Sequence, residues 1–545
     1  MNTLKRLLVW SGAAAILALA SPALSASGPI AAAPSGPVQG SAEGSLHVFK
    51  GIPYAQPPVG PLRWRAPQPA TWTAVKDASQ FGPMCVQPKP KPGGVYYEKP
   101  MPMSEDCLSL NVWAPADARN APVMVWIHGG ALSGGSSRES LFDGSALAKR
   151  GIVVVSINYR LGVLGYLAHP GLSAESPDKV SGNWGLLDQI EALRWVKRNI
   201  SAFGGDPAKV TIAGESAGGL SVMYLMASPQ ARGLFNRAIA ESAYMISTPE
   251  LRERHFGEAP AEELGAAVAA KLHAPDVAAL RAMDAVTITE DAAKAGYLPF
   301  ANVDGHVLTR QLVDTFDRGE QAHVPILAGF NSGEIRSLLI LVPPPPPTTA
   351  MYESMVRKGY GDLAPTFLKM YPSANMRESM LATTRDALYG WTSERLVRSQ
   401  TALGLPSYMY LWDHGYPLAD NAGLHGFHAS ELPYVFGSFD TVPPFWPKPP
   451  KTAGDLKLWQ AMGDYWASFV KGEQPGSAVA PAWPAYGSQR LLMLFQDTPK
   501  PTMSPLPGMF PLHEEVVCRR RAQGDLAWNW NVGVIAPPLP PKAGC

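Results

Sequence analysis

The stretch that most constrains the fold runs from Lys209 to Met226, where KVTIA is followed by GESAGG and then by LSVMYLM. The first run is short, apolar and β-branched, as a buried strand requires, and the last has the composition of a buried helix. A strand that turns into a helix within a few residues brings two backbones close together. The positions two before and two after the turning residue then have room for almost no side chain, and Gly214 and Gly218 occupy them. Val123–Ile127 and Ile152–Ile157 are further continuous apolar runs, expected as central strands buried on both faces. Between them and the turn, Leu186–Asn199 places Leu187, Ile190, Leu193, Trp195 and Val196 on one helical stripe. Strands alternating with helices predict an α/β fold with a mainly parallel sheet covered on both sides.

Length alone does not decide the number of domains, because 545 residues suit several average domains or one enzyme domain with long insertions. With 46% apolar and 17% charged residues, the chain can bury a large core. Lys5 and Arg6, the apolar run Leu7–Ala20 and the small residues around Ala23–Ala26 follow the plan of a secretory signal, residues 1–26, cleaved after Ser25 or Ala26. The formal charge of +1 then becomes −1 with the loss of Lys5 and Arg6, which gives no reason to expect nucleic acid or an anionic membrane as partner. The mature protein is expected to be secreted or periplasmic and free of the membrane.

Four cysteines suit such an oxidising compartment. Of three pairings, two local bridges are the simplest. Closing Cys85 to Cys107 would stabilise by about 3 kcal/mol; Cys518 and Cys545 leave a bridge or a free C-terminal thiol open. Residues 27–505 are expected to form the main domain and 506–545 a tail packed upon it. Within the domain, Glu250–Leu298 reads as a helical insertion and Pro343–Pro347 as an exposed polyproline turn. Arg519–Arg521, Trp528 and Trp530 in the tail belong to no catalytic constellation.

The turn also carries chemistry. Ser216 stands at its apex, where Oγ points outward at a helix N-terminus whose amides favour developing negative charge. An acyl-transfer nucleophile needs donors aimed at the tetrahedral oxyanion. The segment WIHGGAL, Trp126–Leu132, follows a core strand and has the small residues that let main chain approach a substrate carbonyl.

With these motifs in hand, the chain resembles the type-B carboxylesterases, the family that includes cholinesterases and bacterial esterases. The matching segments are FKGIPYAQPPVG (Phe49–Gly60), SEDCLSLN (Ser104–Asn111), NYRLG (Asn158–Gly162), GNWGLLDQ (Gly182–Gln189), the Ser216 turn, VDG (Val303–Gly305) and HASELPYVFG (His428–Gly437). They run in the family's order from about residue 36 to about residue 490.

The resemblance implies an α/β-hydrolase fold and hydrolysis of a small-molecule carboxylic ester through an acyl-enzyme, with no metal or cofactor. It implies Glu334, in GFNSGE (Gly329–Glu334), as the acid and His428 as the base, with His425 as the rival base. The family often has an acidic residue where Gly333 stands and a Gly where Ala131 stands. Backbone N–H groups of Gly130, Ala131 and Ala217 are the implied oxyanion donors. Glu215 and Glu431 flank the triad in sequence and are expected in a buried network that tunes His428. Arg63 with Glu105, and Arg160 with Asp188, are expected as structural ion pairs; Leu132 and Trp391 are candidate pocket residues. An amidase, lactonase or thioesterase would use the same triad, and some family members are binding proteins without activity. The expected state is a monomer or weak homo-oligomer.

Overall fold

In the computed structural model, the described residues are 28–90, 92–542 and 545, so the expected signal segment lies outside them. The chain is built on an eleven-stranded sheet. In chain order its strands are β1 (Ser41–Glu43), β2 (Leu46–Pro53), β3 (Ser109–Pro115), β4 (Ala121–Ile127), β5 (Val153–Ile157), β6 (Gly205–Glu215), β7 (Arg237–Glu241), β8 (Ile326–Asn331), β9 (Ser407–Trp412), β10 (Leu491–Phe495) and β11 (Lys500–Met503). Their spatial order is β11-β10-β9-β8-β7-β6-β4-β5-β3-β2-β1. From β10 across to β5 the pairings are parallel, and antiparallel strands close both edges. The mainly parallel sheet expected from the alternation is therefore present.

Alternate residues of β4 enter opposite cores. Val123, Val125 and Ile127 join the helices Trp184–Asn199 and Ala217–Ala227, while Met124 and Trp126 join the helix Ala453–Lys471. Double-sided burial explains why the strand is continuously apolar rather than alternating. The helix expected from Leu186 begins two residues earlier, at Trp184. Within the insertion, Ala261–Lys271, Val277–Ala282 and Ala285–Lys294 are separate helices. The proline run has no regular structure, and Pro346 is its buried member.

Both disulfides form, Cys85–Cys107 and Cys518–Cys545, which settles the second pair. The ion pairs Arg63–Glu105 (2.6 Å) and Arg160–Asp188 (2.7 Å) also form. Helix Met509–Gln523 lies against helix Trp391–Ala402. Trp391 is fully buried there, its Nε1 donating to Glu514 at 2.7 Å and its ring facing Trp528, so it is a core residue and not a pocket wall. No helix among the described residues is long and apolar enough to cross a membrane.

Candidate active site

The turn at Ser216 is as tight as its glycines require. Ser216 has φ 58° and ψ −120°, between the end of β6 and the first residue of helix Ala217–Ala227. A Cβ on Gly214 would lie 2.6 Å from the Gly218 carbonyl, and one on Gly218 would lie 2.0 Å from the Ile127 oxygen on neighbouring β4. Such strain in a non-glycine residue costs roughly 1–3 kcal/mol and persists only where the surroundings impose it. Here the Ser216 amide donates to the Glu241 carbonyl (3.0 Å), and the helix that follows is buried along its whole length.

The loop after β4 faces this turn. A Cβ on Gly129 would meet the Glu215 oxygen at 2.9 Å and Ser216 Cβ at 3.1 Å, so glycine lets the two segments touch. Gly130, Ala131 and Leu132 all have positive φ (102°, 53° and 56°). The amides of Ser133 and Gly134 close the loop onto the Gly130 carbonyl, both at 3.0 Å. Gln87 clamps it further by exchanging hydrogen bonds with the amide and carbonyl of Gly135 (2.9 and 3.0 Å). Tyr159 stacks on His128 and donates to its carbonyl (2.8 Å). Burial pushes the His128 imidazole down to about 4, so it is neutral at pH 7. Among the described residues, the amides of Gly130, Ala131 and Ala217 donate to no protein group, leaving three N–H groups beside Ser216.

Glu334 and His428 meet although 94 residues separate them, with Glu334 Oε2 2.5 Å from His428 Nδ1. Glu334 opens a 3-10 turn just past β8, and its Oε1 accepts from the Asn331 amide (2.8 Å). The Gly333 amide pairs with the Gly426 carbonyl (2.8 Å), joining the two loops. A Cβ on Gly333 would come within 2.7 Å of the Leu424 oxygen and 2.9 Å of the Gly426 oxygen. Glycine therefore lets the two loops approach here. His425, the rival base, points elsewhere: Asp420 (2.7 Å) and Asp413 (3.3 Å) hold its two ring nitrogens, and its side chain is 41% exposed.

His428 Nε2 lies 3.1 Å from Glu215 Oε1, and no hydrogen bond joins it to Ser216 Oγ among the described residues. Both Ser216 and His428 line the same pocket. Catalytic hydrogen bonds commonly tighten only when substrate is bound. Glu215 and Glu431 are both buried, and Asn331 Nδ2 donates to Glu431 and to the Phe427 carbonyl (2.8 Å). Burial, then repulsion from neighbouring carboxylates including Glu334, pushes both carboxyls far above the usual range.

A third buried carboxyl joins this group, and no sequence motif marks it. Sheet register sets Glu241 of β7 beside Glu215 of β6, and Trp466 Nε1 donates to its Oε1 (3.0 Å). Burial pushes Glu241 up to about 8. A free glutamate titrates near ~4.3. Between these values the folded chain holds a proton that the unfolded chain has lost, so stability is full at low pH and falls as pH rises toward about 8. Glu241→Gln keeps the shape of the neutral carboxyl and should lose less melting temperature than the parent between pH 5 and pH 9. Thermal unfolding at the two pH values checks this; equal losses would contradict it.

The pocket beside Ser216 encloses about 680 Å³. Leu132 lines it, as expected, together with Phe142 and Phe300. Three further aromatic walls come from distant parts of the chain. Tyr389 comes from a π-helical turn, Asp386–Gly390, and faces His428 at 5.4 Å between ring centres; such turns recur at functional sites. Trp446 enters from the loop beyond His428, and Trp530 from the tail, which thus contributes to the site as well as capping the fold. Among the described residues, no Lys or Arg lines the pocket.

Residues 27–506 match the carboxylesterase family. The chain is 36% identical over 482 residues to fumonisin B1 esterase of Sphingopyxis macrogoltabida, covering 85% of each protein. It is 36% identical over 474 residues to para-nitrobenzyl esterase of Bacillus subtilis (strain 168), covering 85% of this chain and 94% of that one. A solved PNB esterase structure superposes with a TM-score of 0.75 at 32% identity, over 89% of this chain and 99% of the other. The chain therefore belongs to the carboxylesterase family and is a carboxylic ester hydrolase with the α/β-hydrolase fold.

Proposed function

We propose that ester hydrolysis proceeds through Ser216 as nucleophile, His428 as general base and Glu334 as the acid that orients it. The observation that carries this reading is the Glu334–His428 contact, which puts the imidazole on the wall of the pocket that Ser216, Gly130 and Ala131 also line. His428 Nε2 takes the Ser216 proton as Oγ attacks the ester carbonyl. The oxyanion accepts hydrogen bonds from the amides of Gly130, Ala131 and Ala217. His428 then returns the proton to the departing alkoxide, leaving an acyl-enzyme and a free alcohol. Water, deprotonated by His428, attacks the acyl carbon; the bond from that carbon to Oγ breaks, His428 returns the proton to Ser216 Oγ, and the acid is released. Glu334 orients the imidazole and stabilises the imidazolium formed in each half.

The substrate proposed is an uncharged ester with an apolar or aromatic group. Two features support it: walls that include Phe142, Tyr389, Trp446 and Trp530, and a lining that holds no Lys or Arg among the described residues. An anionic ester would lose water without gaining a cationic partner. Para-nitrophenyl acetate should therefore be turned over with kcat/KM at least about tenfold above the mono-para-nitrophenyl ester of a dicarboxylic acid of similar length. Equal or faster turnover of the anionic ester would overturn this substrate class.

We assign residues 1–26 to a secretory signal, 27–505 to the catalytic domain and 506–545 to a tail folded against it. Two bridges drawn from all four cysteines support a secreted or periplasmic location. The proposed state is a monomer or weak homo-oligomer.

A further inference from the structure

The described residues between Cys85 and Cys107 have almost no regular structure; Met84–Cys85 and Met103–Ser104 pair where the disulfide ties the ends of the segment together. From the far side of this loop Tyr96 reaches the base. Its hydroxyl donates to the His428 carbonyl (2.8 Å) and lies 2.6 Å from Ser337 Oγ. A carbonyl can only accept, so the phenolic proton goes to His428 and the Ser337 hydroxyl must donate to the phenol oxygen. Ser337 ends the 3-10 turn that Glu334 opens. The Tyr96 ring meets the imidazole edge-on at 6.3 Å and Trp446 at 5.9 Å. One side chain thus ties together the loop of the base and the turn of the acid, across from the Gly333–Gly426 pairing that joins them on the other side.

We infer that Tyr96 is a positioning residue for His428, and that the Cys85–Cys107 bridge acts on catalysis through it. The tie fixes the main chain of His428 relative to Glu334, so the ring keeps the angle at which Nδ1 meets Oε2 and Nε2 faces the pocket. Without the bridge, Tyr96 sits on a long irregular segment and the tie is lost. The inference rests on the triad proposed above.

Tyr96→Phe removes the hydroxyl and keeps the ring, so substrate binding should persist while alignment is lost. The expected result is a kcat about tenfold lower, the scale of one or two hydrogen bonds, with KM within twofold of the parent and the melting temperature unchanged. Replacing both Cys85 and Cys107 with alanine should lower kcat at least as far. Adding Tyr96→Phe to that pair should lower it no further, because both changes remove the same tie. A Tyr96→Phe enzyme with parental kcat would overturn the positioning role. Multiplying effects in the triple variant would overturn the link to the bridge. A failed triad is distinguishable, because His428→Ala would then remain active whatever Tyr96→Phe did.

Discussion

Ser216→Ala should lower kcat for ester hydrolysis by roughly a millionfold while leaving the protein folded. Alanine loses only Oγ, and the backbone strain at φ 58° is the same for either residue. What remains is the pocket and the oxyanion amides, which by themselves sustain roughly 10³–10⁴-fold acceleration over water. His428→Ala should cost a comparable factor, since the hydroxyl is a weak nucleophile without its base. The double variant should then be no slower than either single one. Steady-state kinetics on para-nitrophenyl acetate, with thermal unfolding as the control for folding, check both statements. Multiplying effects would mean that the two side chains do not act on the same proton.

Gly218→Ala should destabilise the protein by about 3 kcal/mol or more, and activity should be lost beyond what unfolding explains. In an ordinary helix the same change stabilises by about 0.5–1 kcal/mol. Here the added methyl meets the Ile127 oxygen at 2.0 Å, and that oxygen belongs to the backbone of a central strand. Neither element can yield, because both are buried. Any movement that relieves the clash carries the helix, and Ser216 with it, away from the Gly130 loop. Gly454, near the start of the exposed end of another helix, is the control: a Cβ there meets only Thr452 Oγ1, at 3.6 Å. Denaturant unfolding of Gly218→Ala and Gly454→Ala measures the contrast; equal stability of the two would refute the packing argument.

Features that depend on near neighbours along the chain are legible in the sequence itself. Gly214 and Gly218 announce a tight turn because the demand for space there is local, and the run Val123–Ile127 announces double-sided burial in the same way. The contact between Glu334 and His428 is different in kind, since the two stand 94 positions apart. Nothing in the spacing requires it, and only the resemblance to a family names those residues. Features set by tertiary packing leave no such local mark. Glu241 becomes a neighbour of Glu215 through the register of two parallel strands. Tyr96 reaches His428 across a disulfide-closed loop. Trp530 lines the pocket because the tail folds back, while Trp391, whose composition suits a pocket equally well, is turned into the core by Glu514 and Trp528. Aromatic character marks a residue for burial without saying against what.

The central claim is that one hydroxyl, on Ser216, attacks the ester carbonyl. Its most direct test is to react the folded protein with an excess of a fluorophosphonate and locate the adduct by peptide mass spectrometry. One phosphonyl group per chain is expected, carried by Ser216, with loss of esterase activity in step with labelling and no adduct on Ser216→Ala. An adduct on another residue, or full esterase activity in a protein fully labelled at Ser216, would contradict it.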